Sequence, residues 1–517
     1  MTNEHKPEEN EEPLETPAGE EMPAEDEGVI ITPRREFLRA MGLVGAAGLI
    51  LPRWMSEAQA APTGKPATPK SPLGTTNATK KAGNTTPATK NQAVTKEVKD
   101  ATKPQAAPTK PAVKVEEVKV AIIGAGSQGR NLLLNALKIP GIRFVAVCDI
   151  WPYSQDYSVN ILKKYGQTPK AYTDYQDMLE KEPSIQAVII ATPDWQHAPQ
   201  TVDCLKAGKH VYCEKEMSNT LEGARSMVLA ARESGKLLQI GHQRRSNPRY
   251  WHSYELINGP EKVLGRVTHT YGQWNRQSRL EIGWPKNREL SADVLKRYGY
   301  DTMERFRNWR WYRQYSGGAI ADLGSHQIDI FSWFLQSNPV SVMAAGGNDY
   351  YKVGEWYDHV MAIYEFNTGP GKVRGIYQVL NTTGWGGYYE VFMGDQGVLE
   401  VSEDTKKGFI VRNPGAPPKK WEDDAEKINA MGVDAIALKV GETLKASGRP
   451  KEERLQEMSE KAPHQLHLEN FFSAIRNGTK LSCPPEVGYE TCVAVLKAND
   501  AVAAERKLTF DPSEFKV

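Results

Sequence analysis

Apolar residues along this chain fall into two regimes. From Met1 to about Pro111 only Ala40–Leu51 is a sustained apolar stretch; from Val115 onward apolar runs return at regular intervals. The first, Lys119-Val120-Ala121-Ile122-Ile123, shows no polar alternation after its lysine, the pattern of a parallel strand covered on both faces. Arg143–Cys148, Ala187–Ala191, His210–Cys213 and Leu237–Ile240 read the same way, and Arg130–Lys138, Tyr172–Lys181 and Pro199–Ala207 read as helices between them. Strands alternating with helices at this spacing predict a doubly wound parallel sheet.

The first strand runs straight into Gly124-Ala125-Gly126-Ser127-Gln128-Gly129 and then into a helical pattern. A dinucleotide needs this arrangement: Gly124 for the tight turn, Gly126 so that the backbone approaches the pyrophosphate, Gly129 for close helix–strand packing. The pyrophosphate is expected at the helix N-terminus, beside the amides of Ser127 and Gln128. The second strand ends in Asp149, twenty residues past Gly129. A carboxylate there accepts hydrogen bonds from the adenosine ribose and repels a 2′-phosphate, so NAD is favoured over NADP. Ligands of such sheets sit at the carboxyl ends of the strands. Those ends carry Thr192, Asp194 and His197, then Glu214-Lys215, then Gln243 and Arg245. Thr192, Asp194, His197, Glu214, Lys215 and Gln243 are the further candidate cofactor contacts, with capping as the plain alternative for Asp194, His197 and Gln243.

Three stretches resemble the glucose–fructose oxidoreductase/inositol dehydrogenase (Gfo/Idh/MocA) family. They are Ala191-Thr192-Pro193-Asp194 through Glu214-Lys215, Gly317-Gly318-Ala319-Ile320-Ala321-Asp322-Leu323-Gly324-Ser325-His326, and His467-Leu468-Glu469-Asn470-Phe471-Phe472 with Ile475-Arg476-Asn477-Gly478. The resemblance covers roughly residues 117–510. It implies an N-terminal Rossmann domain followed by an α+β domain with a large, mostly antiparallel sheet that assembles into homodimers or homotetramers. The strand-like runs Val263–Tyr271, His359–Phe366 and Gly375–Leu380 agree with that sheet. It also implies a substrate site lined by Lys215, Asp322 and His326. One departure stands out: Glu216 occupies the place where the family usually has proline after the lysine.

Moving a hydride from a carbinol carbon requires the hydroxyl proton to leave, a task suited to histidine. His326 is the candidate base. Asp322, four residues earlier, shares its face if it opens a helix, and Lys215 offers positive charge to a developing alkoxide. Trp274–Tyr315 is dense in aromatic and basic residues, and Arg245, Trp311 and Tyr312 are taken with Asp322 and His326 as substrate contacts, since aromatic faces stack on sugars and arginine forks bind carboxylates. A subunit-interface arm has the same composition.

The expected activity is therefore NAD(P)-dependent oxidoreduction of a secondary hydroxyl on a sugar, polyol or glycoside. Two other readings use the same shell: a glycosidase that oxidises its sugar transiently and recycles its cofactor, and a non-catalytic sugar sensor. A formal net charge of +1 gives no reason to expect nucleic acid as a partner. Five cysteines without metal-ligand spacing give no expectation of a metal; a Cys483–Cys492 bridge stays open.

The expected organisation is an acidic extension (1–33), an export signal (34–60), an Ala/Thr/Lys/Pro-rich linker (61–114), a nucleotide-binding domain (115–245) and a substrate and oligomerisation domain (246–517). Within the signal, Arg34-Arg35-Glu36-Phe37-Leu38 precedes a dozen apolar residues and Ala58-Gln59-Ala60. That run is too short for a stable membrane span. The paired arginines resemble the twin-arginine translocation motif, which implies export, to the periplasm, of an already folded protein.

Overall fold

The computed structural model describes residues 115–278, 282–423, 425–439 and 461–517. The acidic extension, the signal and the linker all lie outside the described residues.

The first domain is a six-stranded parallel sheet in the order β3-β2-β1-β4-β5-β6, with β1 Val118–Ile123, β2 Ile142–Cys148, β3 Lys170–Tyr172, β4 Ala187–Ile190, β5 His210–Cys213 and β6 Leu238–Ile240. All four residues of β4 are buried and β1 is nearly so, because helices cover both faces. The order reverses between β1 and β4, and such a switch point opens the crevice where these sheets bind ligands.

Two local readings shift here, and in the second domain the strand expected at Val263–Tyr271 runs Val267–Asn275 instead. The expected helix from Tyr172 begins at Tyr175 instead: Tyr172 closes the short strand β3, and the Asp174 side chain caps the helix by accepting from the Gln176 and Asp177 amides. The helix expected from Pro199 starts a turn earlier, at Asp194, and carries Pro199 inside. An acidic side chain in its first turn suits the N-terminal end of the dipole.

The second domain is built on a ten-stranded sheet, order β14-β15-β13-β12-β11-β7-β10-β9-β8-β16. Its strands are β7 Val267–Asn275, β8 Pro339–Gly347, β9 His359–Thr368, β10 Gly371–Leu380, β11 Tyr388–Gly394, β12 Gly397–Val401, β13 Phe409–Arg412, β14 Lys427–Ala430, β15 Val433–Ala437 and β16 Leu508–Thr509. Every pairing is antiparallel except β7 with β10. Burial alternates along β9 and β10, as a sheet with one covered face requires. The covered face packs on the helices Ser325–Leu335 and Pro485–Ala504. The other face leaves Met343, Met361, Ile363 and Ile376 exposed.

The two domains share one core. Ile123, Val188 and Ile240 of the first sheet join the same apolar cluster as Phe331, Tyr377 and Val495. The helix Pro463–Asn477, assigned by sequence to the second domain, packs on the first: Leu468, Phe471 and Phe472 cluster with Val120, Ile122, Phe144 and Tyr212. All five cysteines are buried free thiols, so Cys483 and Cys492 form no bridge. No described helix is long and apolar enough to cross a membrane.

Phe471 is fully buried in that cluster. Phe471→Ala is expected to lower unfolding free energy by about 3–5 kcal/mol in a urea titration. A loss below about 1 kcal/mol contradicts the idea that this distant helix completes the first domain.

Candidate functional site

At the end of β1 the chain turns through Gly124, which sits in the left-handed region (φ +87°) with its Cβ direction 2.6 Å from the Ala191 carbonyl oxygen. At Gly129 a Cβ would fall 1.9 Å from the Gly124 carbonyl oxygen. Both positions exclude any side chain. Gly126 differs: a Cβ there would meet nothing within 4 Å, so its bare backbone faces open space. It is also the N-cap of the helix Ser127–Ala136, whose first amides receive no side-chain cap. Uncapped amides around an open backbone form a cradle for an anion.

Asp149, at the end of β2, accepts from the Ala125 amide through Oδ2 (2.7 Å) and from the Trp151 amide through Oδ1 (2.8 Å). Each oxygen keeps a lone pair for a ribose hydroxyl. Burial pushes this carboxyl up, against the two amides that hold it down. Gln128 donates to Glu214 (3.1 Å), which also accepts from the Tyr212 hydroxyl (3.3 Å). Glu214 is thereby fixed at the end of β5, and burial raises its carboxyl too. These residues fit a dinucleotide.

The other strand ends are tied more tightly to protein. The Thr192 hydroxyl donates to Gln200 (2.8 Å). His197 is buried, with ring nitrogens 2.7 Å from the carbonyl oxygens of Thr192 and Glu216, and burial lowers it to about 4. The neutral ring has one N–H for these two carbonyls, and it packs between the loop after β4 and the loop that carries Lys215. Asp194 accepts from Ser316 (3.3 Å) and the Gly317 amide (3.1 Å) of the second domain. Burial and then the Asp322 charge raise its carboxyl to about 6. Gln243 donates to Glu403 (3.3 Å).

The chemistry converges on Asp322, which lies in a π-helical turn, Ile320–Gly324, just before the helix Ser325–Leu335. Lys215 Nζ reaches from the first domain to Asp322 Oδ1 (3.2 Å) and to its carbonyl oxygen. Asp322 Oδ2 receives Arg310 Nε (3.2 Å) and Arg276 Nη2 (3.4 Å). Burial alone would raise this carboxyl, but Lys215, Arg310 and Arg276 outweigh it and hold it far below the carboxylate range. For Lys215, burial opposes the charge, yet Asp322, Glu214 and Asp194 raise the ammonium above its usual value. The pair stays ionised.

The Lys215–Glu216 peptide is cis. Glu216, in the family's proline position, is turned into the interior, where its carboxyl accepts from the Met217 amide (2.6 Å) and burial raises it to about 8. Burial thus biases this carboxyl toward its neutral form, and Lys215 still reaches Asp322.

One turn beyond Asp322, His326 stacks on Trp274 (5.3 Å between centroids, 28°) and meets His242 edge-on at 6.4 Å. His326 Nδ1 is buried without a hydrogen-bond partner among the described residues. Burial, then the charges of Lys215 and Arg244, push the ring well below its ordinary value, so it is neutral. A buried nitrogen with no partner beside an ionised lysine is a place for a ligand's polar group. Trp274 in turn stacks on Tyr388 (4.5 Å), and the Arg244 guanidinium lies over both rings (5.7 and 5.8 Å).

Three expected substrate contacts are engaged elsewhere. Arg245 makes a forked pair with Asp329 (2.7–2.9 Å) and lies over Trp333. The Tyr312 hydroxyl donates to Glu304 (2.8 Å), and Trp311 packs edge-on against Tyr351. The aromatic–basic segment delivers Trp274 and Arg310 to the site instead. Arg276, not singled out by sequence, joins them; an arginine just past a strand end gave no local signal.

Fold and site together define a nucleotide-dependent oxidoreductase with an NAD-binding Rossmann domain. A family model described as "Oxidoreductase family, NAD-binding Rossmann fold" matches residues 118–242, and one described as "GFO/IDH/MocA C-terminal domain" matches 260–400. The chain belongs to the Gfo/Idh/MocA oxidoreductase family. It is 26% identical over 314 residues to the inositol 2-dehydrogenase of Rubrobacter xylanophilus, covering 60% of this chain and 77% of that one. Its fold is similar to that of the aldose-aldose oxidoreductase of Caulobacter crescentus complexed with glycerol (TM-score 0.57, 18% identity, 76% of this chain and 100% of that one). It is similar also to a levoglucosan dehydrogenase in complex with NADH (TM-score 0.57, 18% identity, 77% and 100%).

Asp194 gives a test of this electrostatic picture. An acid whose folded value rises from 3.8 to about 6 binds more protons folded than unfolded, so its stabilisation is full below 3.8 and is lost as pH rises through 6. Relative to Asp194→Asn, the wild type is expected to lose on the order of 1–2 kcal/mol between pH 5 and 7.5, measured by urea unfolding. Parallel pH profiles for the two proteins would show that Asp194 carries no such shift.

Proposed function

We propose that this protein transfers a hydride between a nicotinamide cofactor and a secondary hydroxyl of a sugar, polyol or glycoside. The observation that carries the reading is the pair formed across the domains by Lys215 and Asp322, with the unpartnered His326 Nδ1 one helical turn away. The dehydrogenases among its relatives support it.

The nicotinamide, when bound, supplies the acceptor or donor of the hydride. The remaining work falls to side chains of this chain. The neutral His326 imidazole takes the hydroxyl proton in the direction of oxidation. Its weak basicity is offset by Lys215, whose ammonium lowers the cost of negative charge developing on the substrate oxygen. Asp322 keeps that ammonium charged and fixed in direction. Trp274 holds the imidazole plane from one side, and the shared core of the two domains keeps water from the far side of the cluster.

Asp149 supports NAD as the cofactor. Both its oxygens are anchored by backbone amides, so the carboxylate cannot swing away from a 2′-phosphate. The paired arginines at 34–35 support twin-arginine export to the periplasm. The exposed apolar face of the large sheet, bearing Met343, Met361, Ile363 and Ile376, supports a homodimer or homotetramer built on that face.

The full chain with NAD, offered sugars, polyols and aryl glycosides, is expected to form NADH and one oxidised product in equal amounts. Glycoside cleavage without net NADH points to the recycled-cofactor alternative. Tight cofactor binding without either product leaves a sensor, or a substrate outside the panel. Lys215→Met and His326→Gln are each expected to lower kcat by about 10²–10⁴-fold while changing NADH affinity by less than about threefold. Comparable loss in cofactor affinity would place these residues in binding rather than chemistry. Asp149→Ser is expected to reduce the NAD-over-NADP preference in kcat/KM by about tenfold or more; an unchanged ratio removes Asp149 as its source.

A further inference from the structure

We propose that Arg276 anchors an anionic group on the substrate, which makes acidic sugars, uronates or aldonates, the substrate class of this site; the proposal rests on the reading of the site as one for sugar hydroxyls. Arg276 immediately follows β7, two residues past Trp274, the ring on which His326 stacks. Its guanidinium is held by two long contacts: Nε to Asn381 Oδ1 (3.4 Å) and Nη2 to Asp322 Oδ2 (3.4 Å). Asn381 is itself pinned, accepting from Ser278 through Oδ1 (2.9 Å) and from Tyr351 through its carbonyl oxygen (3.0 Å). The fork is thus aimed rather than free, and Nη1 has no partner among the described residues.

Three cations face the single carboxylate of Asp322. Lys215 lies 3.2 Å from one oxygen of Asp322, and Arg310 and Arg276 both face the other. The other nearby acids sit behind the cluster: Asp194 on Ser316 and Gly317, Glu214 on Gln128 and Tyr212, both buried. The Arg276 and Arg310 side chains keep 30% and 28% of their surface exposed, against 10% for Asp322. The acids are therefore interior and the guanidiniums face the solvent side. With Nη1 unpartnered among the described residues and Nη2 engaged by one long contact, the guanidinium can still offer a planar carboxylate two N–H···O bonds, a match that a neutral hydroxyl cannot make.

The test compares matched pairs on the NADH-loaded full chain by titration calorimetry: glucuronate and gluconate against glucose, galacturonate against galactose. The acids are expected to bind at least tenfold tighter than the neutral sugars. Arg276→Met is expected to weaken the acids by 10–100-fold and collapse that ratio towards one, while Arg276→Lys, which keeps the charge, recovers part of it. Equal binding of acid and neutral sugar by the wild type overturns the proposal. So does an equal loss for both classes in Arg276→Met, which would make Arg276 a positioning residue for Asp322. Near-ultraviolet absorbance with NAD in place of NADH separates the two readings. Arg276-dependent binding of the acid without NADH formation keeps the anchor and contradicts the proposed hydride transfer from that sugar.

Discussion

Everything in this site is organised by one buried carboxylate. Asp322 lies where the two domains meet, and it takes a lysine from the first and two arginines from the second. Burying such a group is costly unless cations and hydrogen bonds compensate, and removing one partner of a buried pair typically costs about 3–5 kcal/mol. That penalty makes the arrangement all-or-none. If the domains were displaced, Lys215 would lose its carboxylate while Asp322 kept only Arg276 and Arg310, so the same interaction that sets the chemistry also ties the first domain to the second. The π-helical turn that carries Asp322 places its carboxylate toward Lys215 while the following helix presents His326 to Trp274.

Around this point the molecule divides its labour between packing and charge. The cofactor side is shaped by what cannot fit: side chains are excluded at Gly124 and Gly129, whereas Gly126 leaves room. The substrate side is shaped by charge and by stacked rings. The His326–Trp274–Tyr388 stack rests on Arg244, a buried guanidinium paired with Glu390 and Glu403. A rigid aromatic stack limits imidazole rotation, so the His326 ring keeps its direction without a hydrogen bond that would compete with substrate. His197 does the equivalent for Lys215, by packing between the carbonyls of Thr192 and Glu216.

Much of this was legible in the sequence, for local reasons. The β1 strand, the glycine turn and Asp149 declare themselves within about thirty residues, because a dinucleotide cradle is a continuous piece of chain. The spacing of Asp322 and His326 is also local. Arg276 and Lys215, by contrast, reach Asp322 across 46 and 107 residues, and only the folded sheets create that proximity. The helix Pro463–Asn477 escaped for the same reason: its amphipathic pattern says that it packs, not on what. Arg245, Trp311 and Tyr312 had the composition of a sugar site, but composition does not tell whether a guanidinium is already spent on a buried aspartate. Arg245 is, on Asp329.

Whether one carboxylate binds the two halves of the site into a unit is tested most directly by a double-mutant cycle on Lys215 and Asp322. The kcat/KM of Lys215→Met, Asp322→Asn and the double variant would be measured on one substrate with saturating NAD. If the two residues act as a unit, the double variant loses little more than the worse single variant, a coupling of about 1.5 kcal/mol or more. If instead the two losses multiply, Lys215 and Asp322 act independently, and the domains do not assemble the site through that carboxylate.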